Sequence, residues 1–280
     1  MVASVRRVFQ LWGLYARLDM LYVLRGPQIA LSFYVSDLIL GMAAVTAMFL
    51  LAQRFDGIPP WSRDQMLFLL GYALLVRGTI DVFFNYNISF ISRRIGRGQL
   101  DHVLVQPQPL WMVLLTEGFA PVTGAGMLLP GLLLIGWSVE QLQLSITFAW
   151  LALLALSLAC SIVVVLAFSY AWGSLAFWAP RSAEELNSST WQLLTQLDVF
   201  PLDPLPTLAL TGLLTFVPAG LVAWYPARAL LGIDASPLGW LGLPAAALVL
   251  GSLCLFIFMR GLAHYGRTGS TRYLSYGHRR

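Results

Sequence analysis

Apolar residues fall in six long runs, and the positions between the runs hold most of the arginines, prolines and acidic residues. A helix needs about 20 predominantly apolar residues to cross the hydrocarbon core of a bilayer. The pattern predicts spans over 29–51, 66–91, 110–137, 147–178, 208–225 and 240–262. The fourth is long enough to tilt or to project beyond the bilayer. Ahead of the first run, Val5, Val8, Trp12, Tyr15, Leu18 and Tyr22 recur at helical spacing with arginines between them. That alternation predicts a helix lying in the membrane interface over 1–28. Arg17, Asp19 and Arg25 interrupt any secretory h-region there.

The polar segments are equally distinctive. Residues 179–207 carry Glu184, Glu185 and Asn187 and then Pro201, Pro204 and Pro206, which break a helix and lead into the next run. Residues 226–239 are too polar to span and too apolar for an ordinary loop. A short re-entrant element on the outer side fits them. Residues 92–109 form the most informative soluble segment. Arg93, Arg94, Ile95, Gly96, Arg97, Gly98, Gln99, Leu100 and Asp101 alternate arginine with glycine, and Leu100, Val103 and Leu104 follow before Pro107 and Pro109. A positive anchor explains the arginines alone. A short helix that presents Leu100, Val103 and Leu104 to a cytoplasmic partner explains the whole segment.

Composition sharpens the class. Of the 280 residues, 58% are hydrophobic and only 11% charged, with a mean hydropathy of +0.74. A soluble domain carries about 25% charged residues, so this is an all-α polytopic membrane protein with several spans. The net charge of +4 belongs to loops and not to a nucleic-acid surface. Every basic residue other than histidine is arginine. A phosphate-cradling loop that ends in lysine cannot be built from this chain, and neither can Schiff-base chemistry. ATP, if used, is hydrolysed by another subunit.

Arginine placement sets the orientation. Arg6, Arg7, Arg17, Arg25, Arg93, Arg94, Arg97, Arg181, Arg260, Arg267, Arg272, Arg279 and Arg280 fall on one side of the six spans, and Arg54, Arg63 and Arg228 on the other. The positive-inside rule then puts both termini, including the tail 263–280, in the cytoplasm.

Apart from Arg260 at the tail end of the last span, the charged residues within the spans are Asp37, Arg77, Asp81 and Glu117. Arg77, Asp81 and Asn85 share one helix face at spacings of four. Arg77 lies eleven residues beyond Met66, about 16 Å along a helix. A charge at that depth costs about 2.5–3.5 kcal/mol or more unless paired or hydrated. Arg77 can pair with Asp81. These groups either line a polar translocation path or lock helices together. Glu117 has no partner at three or four residues, which favours the path. A proton-coupled transporter using Asp37, Asp81 and Glu117 is the alternative. A membrane enzyme would show clustered His, Asp or Ser near one interface, and none is readable. His102, His264 and His278 are far apart, Cys160 and Cys254 sit in apolar runs, and no metal motif is present. Ala155/Ala159 and Ser157/Ser161 in the fourth run are spaced for close helix packing. Trp61, Trp111, Trp137, Trp150 and Trp178 near span ends read as an aromatic belt.

The segment RRIGRGQLDHVLVQPQPLW resembles a loop of the permease subunits of bacterial ATP-binding-cassette exporters of the ABC-2 type. The matching positions are Ile95, Gly98, Leu100, Asp101, Leu104 and Pro107. The stretch FVPAGLVAWYPARALLG is similar to a second family motif, at Pro218, Tyr225, Pro226, Ala227, Leu231 and Gly232. FMRGLAHYGRTGS matches a third, at Tyr265 and Gly269. The three occur in the family's order. Gln106-Pro107-Gln108-Pro109 departs from it, where an Arg-Pro is commoner.

The resemblance implies one permease domain over the whole chain. It implies six spans, the N-terminal interfacial helix, a coupling helix within 92–109, and re-entrant outer helices before the last span, around Tyr225, Pro226 and Arg228. It implies a bacterial inner-membrane location and two ATPase subunits on separate chains that hold ATP and Mg. It also implies a second permease copy or a sister permease. This chain would bind no cofactor and no nucleic acid. ATP-driven motion would enter through Arg93 to Val105, and an amphipathic or hydrophobic substrate would leave outward.

Overall fold

The structure is a computed structural model. It describes residues 2–28, scattered positions between 31 and 50, residues 60–233 and residues 237–269. The predicted first span, with Asp37, and residues 270–280 lie largely or wholly outside the described residues. Helices account for nearly everything described. They are α1 (Val2–Arg25), α2 (Arg63–Gly96), α3 (Gln99–Leu104), α4 (Leu110–Thr116), α5 (Leu128–Gln141), α6 (Phe148–Ser174), α7 (Pro180–Leu197), α8 (Thr207–Thr215), α9 (Tyr225–Leu230) and α10 (Pro237–Thr268). Among the described residues, four helical stretches are long and apolar enough to cross a membrane: Arg63–Phe84, Thr123–Gln141, Phe148–Phe177 and Trp240–Thr268. A bent pair, Thr207–Thr215 with Gly220–Leu230, raises this to five if it counts as one span.

α2 is the central element. A capping box fixes its start: Ser62 Oγ accepts from the Gln65 N–H, and Gln65 Oε1 accepts from the Ser62 N–H. Its 34 residues extend about 51 Å, well beyond a 30 Å hydrocarbon core. Its last turns therefore project past the bilayer and carry Arg93 and Arg94 with them. Met66, Phe68, Leu69, Leu70, Tyr72 and Val76 on α2 are buried against α5, α6 and the 220–230 segment.

The α2–α5 contact is made by glycine. A Cβ on Gly78 would lie 2.5 Å from the Leu128 backbone nitrogen, and one on Gly131 would lie 2.7 Å from that of Leu75. Gly71 faces Leu134, and Gly124 faces the Asp81 carbonyl. Gly71 and Gly78 on α2, Gly131 on α5 and Gly124 in the turn before it let two backbones meet where any side chain would hold them apart. The small residues of α6 behave differently. Ser157 and Ser161 are buried, and Ser161 bonds Tyr72 Oη at 3.1 Å, whereas Ala155 and Ala159 are exposed.

Three segments differ from the sequence pattern. The predicted third span, 110–137, is broken. α4 ends at Thr116, residues 117–122 turn, a 3-10 turn covers Thr123–Gly126, and α5 follows. Gly118 and Pro121 sit in the break, where apolar periodicity carries no signal. The predicted fifth span, 208–225, is two helices bent by 83° around Pro218. The segment 179–207, expected as a proline-broken connection, opens with an 18-residue helix, α7, which begins with Pro180 in its first turn. α7 buries Ala183, Asn187, Leu194 and Asp198 and exposes Glu185, Ser188, Ser189, Gln192 and Gln196.

α7 runs antiparallel to α2. Glu184 meets Arg93, Asn187 meets Ser92, and Thr195 and Asp198 meet Arg77. Glu184 to Asp198 is about 21 Å of helix, so α7 retraces much of the depth that α2 covers. Asp203 then reaches Trp61, just ahead of α2.

Candidate functional site

The arginine-rich end is built around a left-handed turn. Gly98, at φ 69°, closes α2 and opens α3, a backbone geometry that favours glycine. The turn folds α3 back onto a second apolar cluster: Ile91, Ile95, Leu100, Val103, Val113, Phe177, Ala183, Phe258 and Tyr265. Leu100 and Val103 are therefore core residues and do not face a partner, contrary to the periodicity. α3 is too short to stand alone, so its apolar side is spent on this cluster. Arg97, Gln99, His102, Leu104 and Val105 form the exposed edge.

Three charged residues of this end are each tied to a different element. Arg93 Nε donates to Glu184 Oε1 of α7 at 2.6 Å. Arg94 Nη2 donates to Glu117 Oε2, at the end of α4, at 2.6 Å. Tyr265 Oη of α10 donates to Asp101 Oδ1 of α3 at 2.6 Å. Asn187 Nδ2 adds a bond to Ser92 Oγ at 3.2 Å. Arg94 is only 4% exposed, so its pairing with Glu117 is structurally required: an unpaired buried charge is strongly unfavourable. Glu117 is not the partnerless intramembrane carboxylate of the sequence reading. Its partner lies 23 positions away, and the break in the helix puts both at the arginine-rich end.

α1 packs against that break. Asp19 Oδ2 accepts from the Val122 N–H at 2.7 Å and the Thr123 N–H at 3.1 Å, and Thr123 Oγ1 donates to Asp19 Oδ1 at 2.7 Å. Trp12 lies 5.4 Å from Phe83 and 5.5 Å from Phe119, centroid to centroid. The pKa of Tyr15 is raised, first by burial and then by the Glu117 carboxylate, with Arg94 opposing.

Within the bundle, Arg77 Nη2 donates to the Thr195 carbonyl at 2.7 Å and to Asp198 Oδ1 at 3.4 Å. The expected pairing with Asp81 at i+4 gives way to a helix-to-helix one, because α7 lies along the face of α2 that carries Arg77. The Asn85 side chain lies outside the described residues.

The opposite end holds a cluster centred on Asp203, a residue that sequence reasoning missed. Asp203 accepts from the indole N–H groups of Trp61 and, at 2.7 Å, Trp224, and pairs with Arg228. The Arg228 guanidinium also lies over the Trp224 ring, 5.1 Å from its centroid. Tyr225 packs onto Gly242 of α10, and Pro226 is buried. Trp61 is 2% exposed, so it is an anchor here and not a belt residue. Its sequence signal was that of a tryptophan near a span end.

Among the described residues, no group of three or more His, Cys, Asp or Glu is arranged to hold a metal. A family model described as ABC-2 family transporter protein matches residues 38–269. The chain belongs to the ABC-2 transporter family. No curated protein and no solved structure matches it. It is an ABC-2 permease, an integral multi-pass membrane component of an ABC transporter and not itself the catalyst. Members of this family typically work with ATPase subunits. The matched stretch of the permease holds both ends of the bundle, from the Arg93–Glu184 pair to the Asp203 cluster. α1 and its Asp19 precede the match.

Proposed function

We propose that this permease is the membrane subunit of an exporter that moves an amphipathic or hydrophobic substrate out of the cytoplasm or the inner leaflet. ATP and Mg reside on two separate ATPase subunits. The chain sits in a bacterial inner membrane with both termini cytoplasmic and functions with a second permease copy or a sister permease. The observation that carries this reading is the anchoring of the coupling segment. Arg93, Arg94 and Asp101 connect one short stretch to α7, to the α4 break and to α10, while Arg97, Gln99, His102, Leu104 and Val105 stay exposed for a partner. A push on that edge is distributed to three elements at once, as a change between two states requires.

α7 supports a six-crossing arrangement in which it is the fifth crossing and the bent pair α8/α9 is the re-entrant outer element. Polar Glu185, Ser188, Ser189, Gln192 and Gln196 are exposed along α7. Hydrocarbon would penalise that stripe. It faces a second permease or the substrate path. Arg77–Asp198 is then a lock inside one subunit, next to that path. Glu117 is engaged by Arg94, so the lack of a partner that favoured placing it on a polar path no longer applies.

The test is purification from mild detergent with an assay of vanadate-sensitive ATPase activity. A co-purifying ATPase is expected, and Gly98→Pro is expected to abolish substrate export, since proline cannot adopt φ 69°. A chain recovered alone from several detergents, or a Gly98→Pro variant with full export, overturns the reading.

A further inference from the structure

The break at 117–122 is held by both α2 and α1. α2 holds the first half. The Ala120 N–H donates to the Val82 carbonyl at 2.8 Å, and Arg94 holds Glu117 at 2.6 Å. A Cβ on Gly118 would lie 3.0 Å from the Phe84 backbone, so this half is seated directly on α2. α1 adds its hold at the second half, where Gly124 of the following turn also rests on the Asp81 carbonyl of α2. Val122, at the N-cap position of the 3-10 turn, supplies no side-chain cap. Asp19 supplies it instead, from 103 residues away in sequence, through two backbone N–H groups and the Thr123 hydroxyl. Trp12 Nε1 also reaches the Leu115 carbonyl at the end of α4, at 3.5 Å.

We infer that the break is a hinge and that Asp19 is the positioning residue that drives it, carrying movement of α1 relative to α2 into the third crossing. A single residue, Pro121, separates Ala120, held by α2, from Val122 and Thr123, held by Asp19. A displacement of α1 against α2 has to be absorbed near Pro121, and α5 follows from Leu128 after the 3-10 turn. A local cap would have closed the break as well. A cap supplied by a separate helix makes the angle of α5 depend on where that helix sits. The inference rests on the ATP-driven reading above, since the ATPase is what would move α1.

Spin-label distances in the purified permease–ATPase complex test it, in a Cys160→Ala/Cys254→Ala background. One pair, at Gln10 on α1 and Arg181 on α7, reports α1. A second, at the exposed Leu133 on α5 and Leu248 on α10, reports α5. Both distances are expected to shift between the nucleotide-free and ATP–vanadate states of the otherwise unaltered complex. Asp19→Ala is expected to lose the α5 shift and keep the α1 shift. Asp19→Asn is expected to restore it, because the amide oxygen accepts the backbone bonds and the amide nitrogen donates to the Thr123 hydroxyl. Should Asp19→Ala fail to yield a monodisperse complex, Thr123→Val removes one of the three bonds and is expected to reduce the α5 shift. An α5 shift that survives in these variants overturns the hinge while leaving the exporter intact. No shift of either pair in the unaltered complex overturns both.

Discussion

Tyr265 donates its hydroxyl proton to the Asp101 carboxylate across 164 positions of sequence, and this bond fastens the short helix α3 to the far end of α10. Tyr265 is 4% exposed. A hydrogen bond to a charged acceptor contributes about 1.5–3 kcal/mol. Their contact joins two segments far apart in the chain, the short turn after α2 and the last long helix.

Tyr265→Phe removes that bond and keeps the ring packing on Phe177. α3 is expected to open more often, with amide exchange over residues 99–105 rising by roughly tenfold, the equivalent of about 1.4 kcal/mol. Exchange elsewhere in α10 should hardly change. Hydrogen–deuterium exchange followed by mass spectrometry measures both.

Arg77→Ala leaves the Asp198 carboxylate buried without its cation. The expected cost is about 3 kcal/mol, read as a fall in the thermal midpoint in detergent. The paired change Arg77→Met/Asp198→Leu removes both charges and should recover most of that loss. A double variant as unstable as Arg77→Ala would show that the pair does more than neutralise itself.

The glycine contact gives a comparison between helix positions. Gly78→Ala places a methyl 2.5 Å from the Leu128 nitrogen and should cost about 1–3 kcal/mol by forcing α2 from α5. Gly136→Ala, on α5 with nothing within 4 Å, should gain about 0.5–1 kcal/mol from helix propensity. Opposite signs in the two thermal shifts are the expected result.

At the opposite end, Asp203→Ala deprives two indole N–H groups of an acceptor and Arg228 of its counter-charge. A loss of about 3 kcal/mol is expected. Limited trypsin digestion should show faster cleavage after Arg228. Trp61→Phe, which removes one donor only, should cost about 1 kcal/mol. Equal trypsin rates in Asp203→Ala and the unaltered chain would show that Arg228 is secured by other contacts.

Legibility in the sequence followed the range of the interaction. α2, α6 and α10 were readable as spans because bulk hydropathy is a property of a continuous segment. The Gly98 turn and the resemblance at Ile95–Asp101 were readable because glycine and short-range spacing act locally. α7 was not, since its polar residues hide a helix whose stability comes from lateral packing on α2. The break after Thr116 was hidden for the opposite reason: its residues are apolar enough to continue the run.

The sequence alone determined that this chain lives in a membrane, that its arginines gather mostly between its apolar runs, that it cannot hydrolyse ATP through a lysine-dependent phosphate loop, and that it resembles the ABC-2 permeases. Those properties are sums or patterns over neighbouring residues. Only the tertiary structure decided the partners of its charges: Asp198 for Arg77, Glu117 for Arg94, Glu184 for Arg93, and Asp203 for Trp61 and Arg228. A buried charge takes the partner that packing brings within reach, and packing is set by helices that meet far apart in the chain.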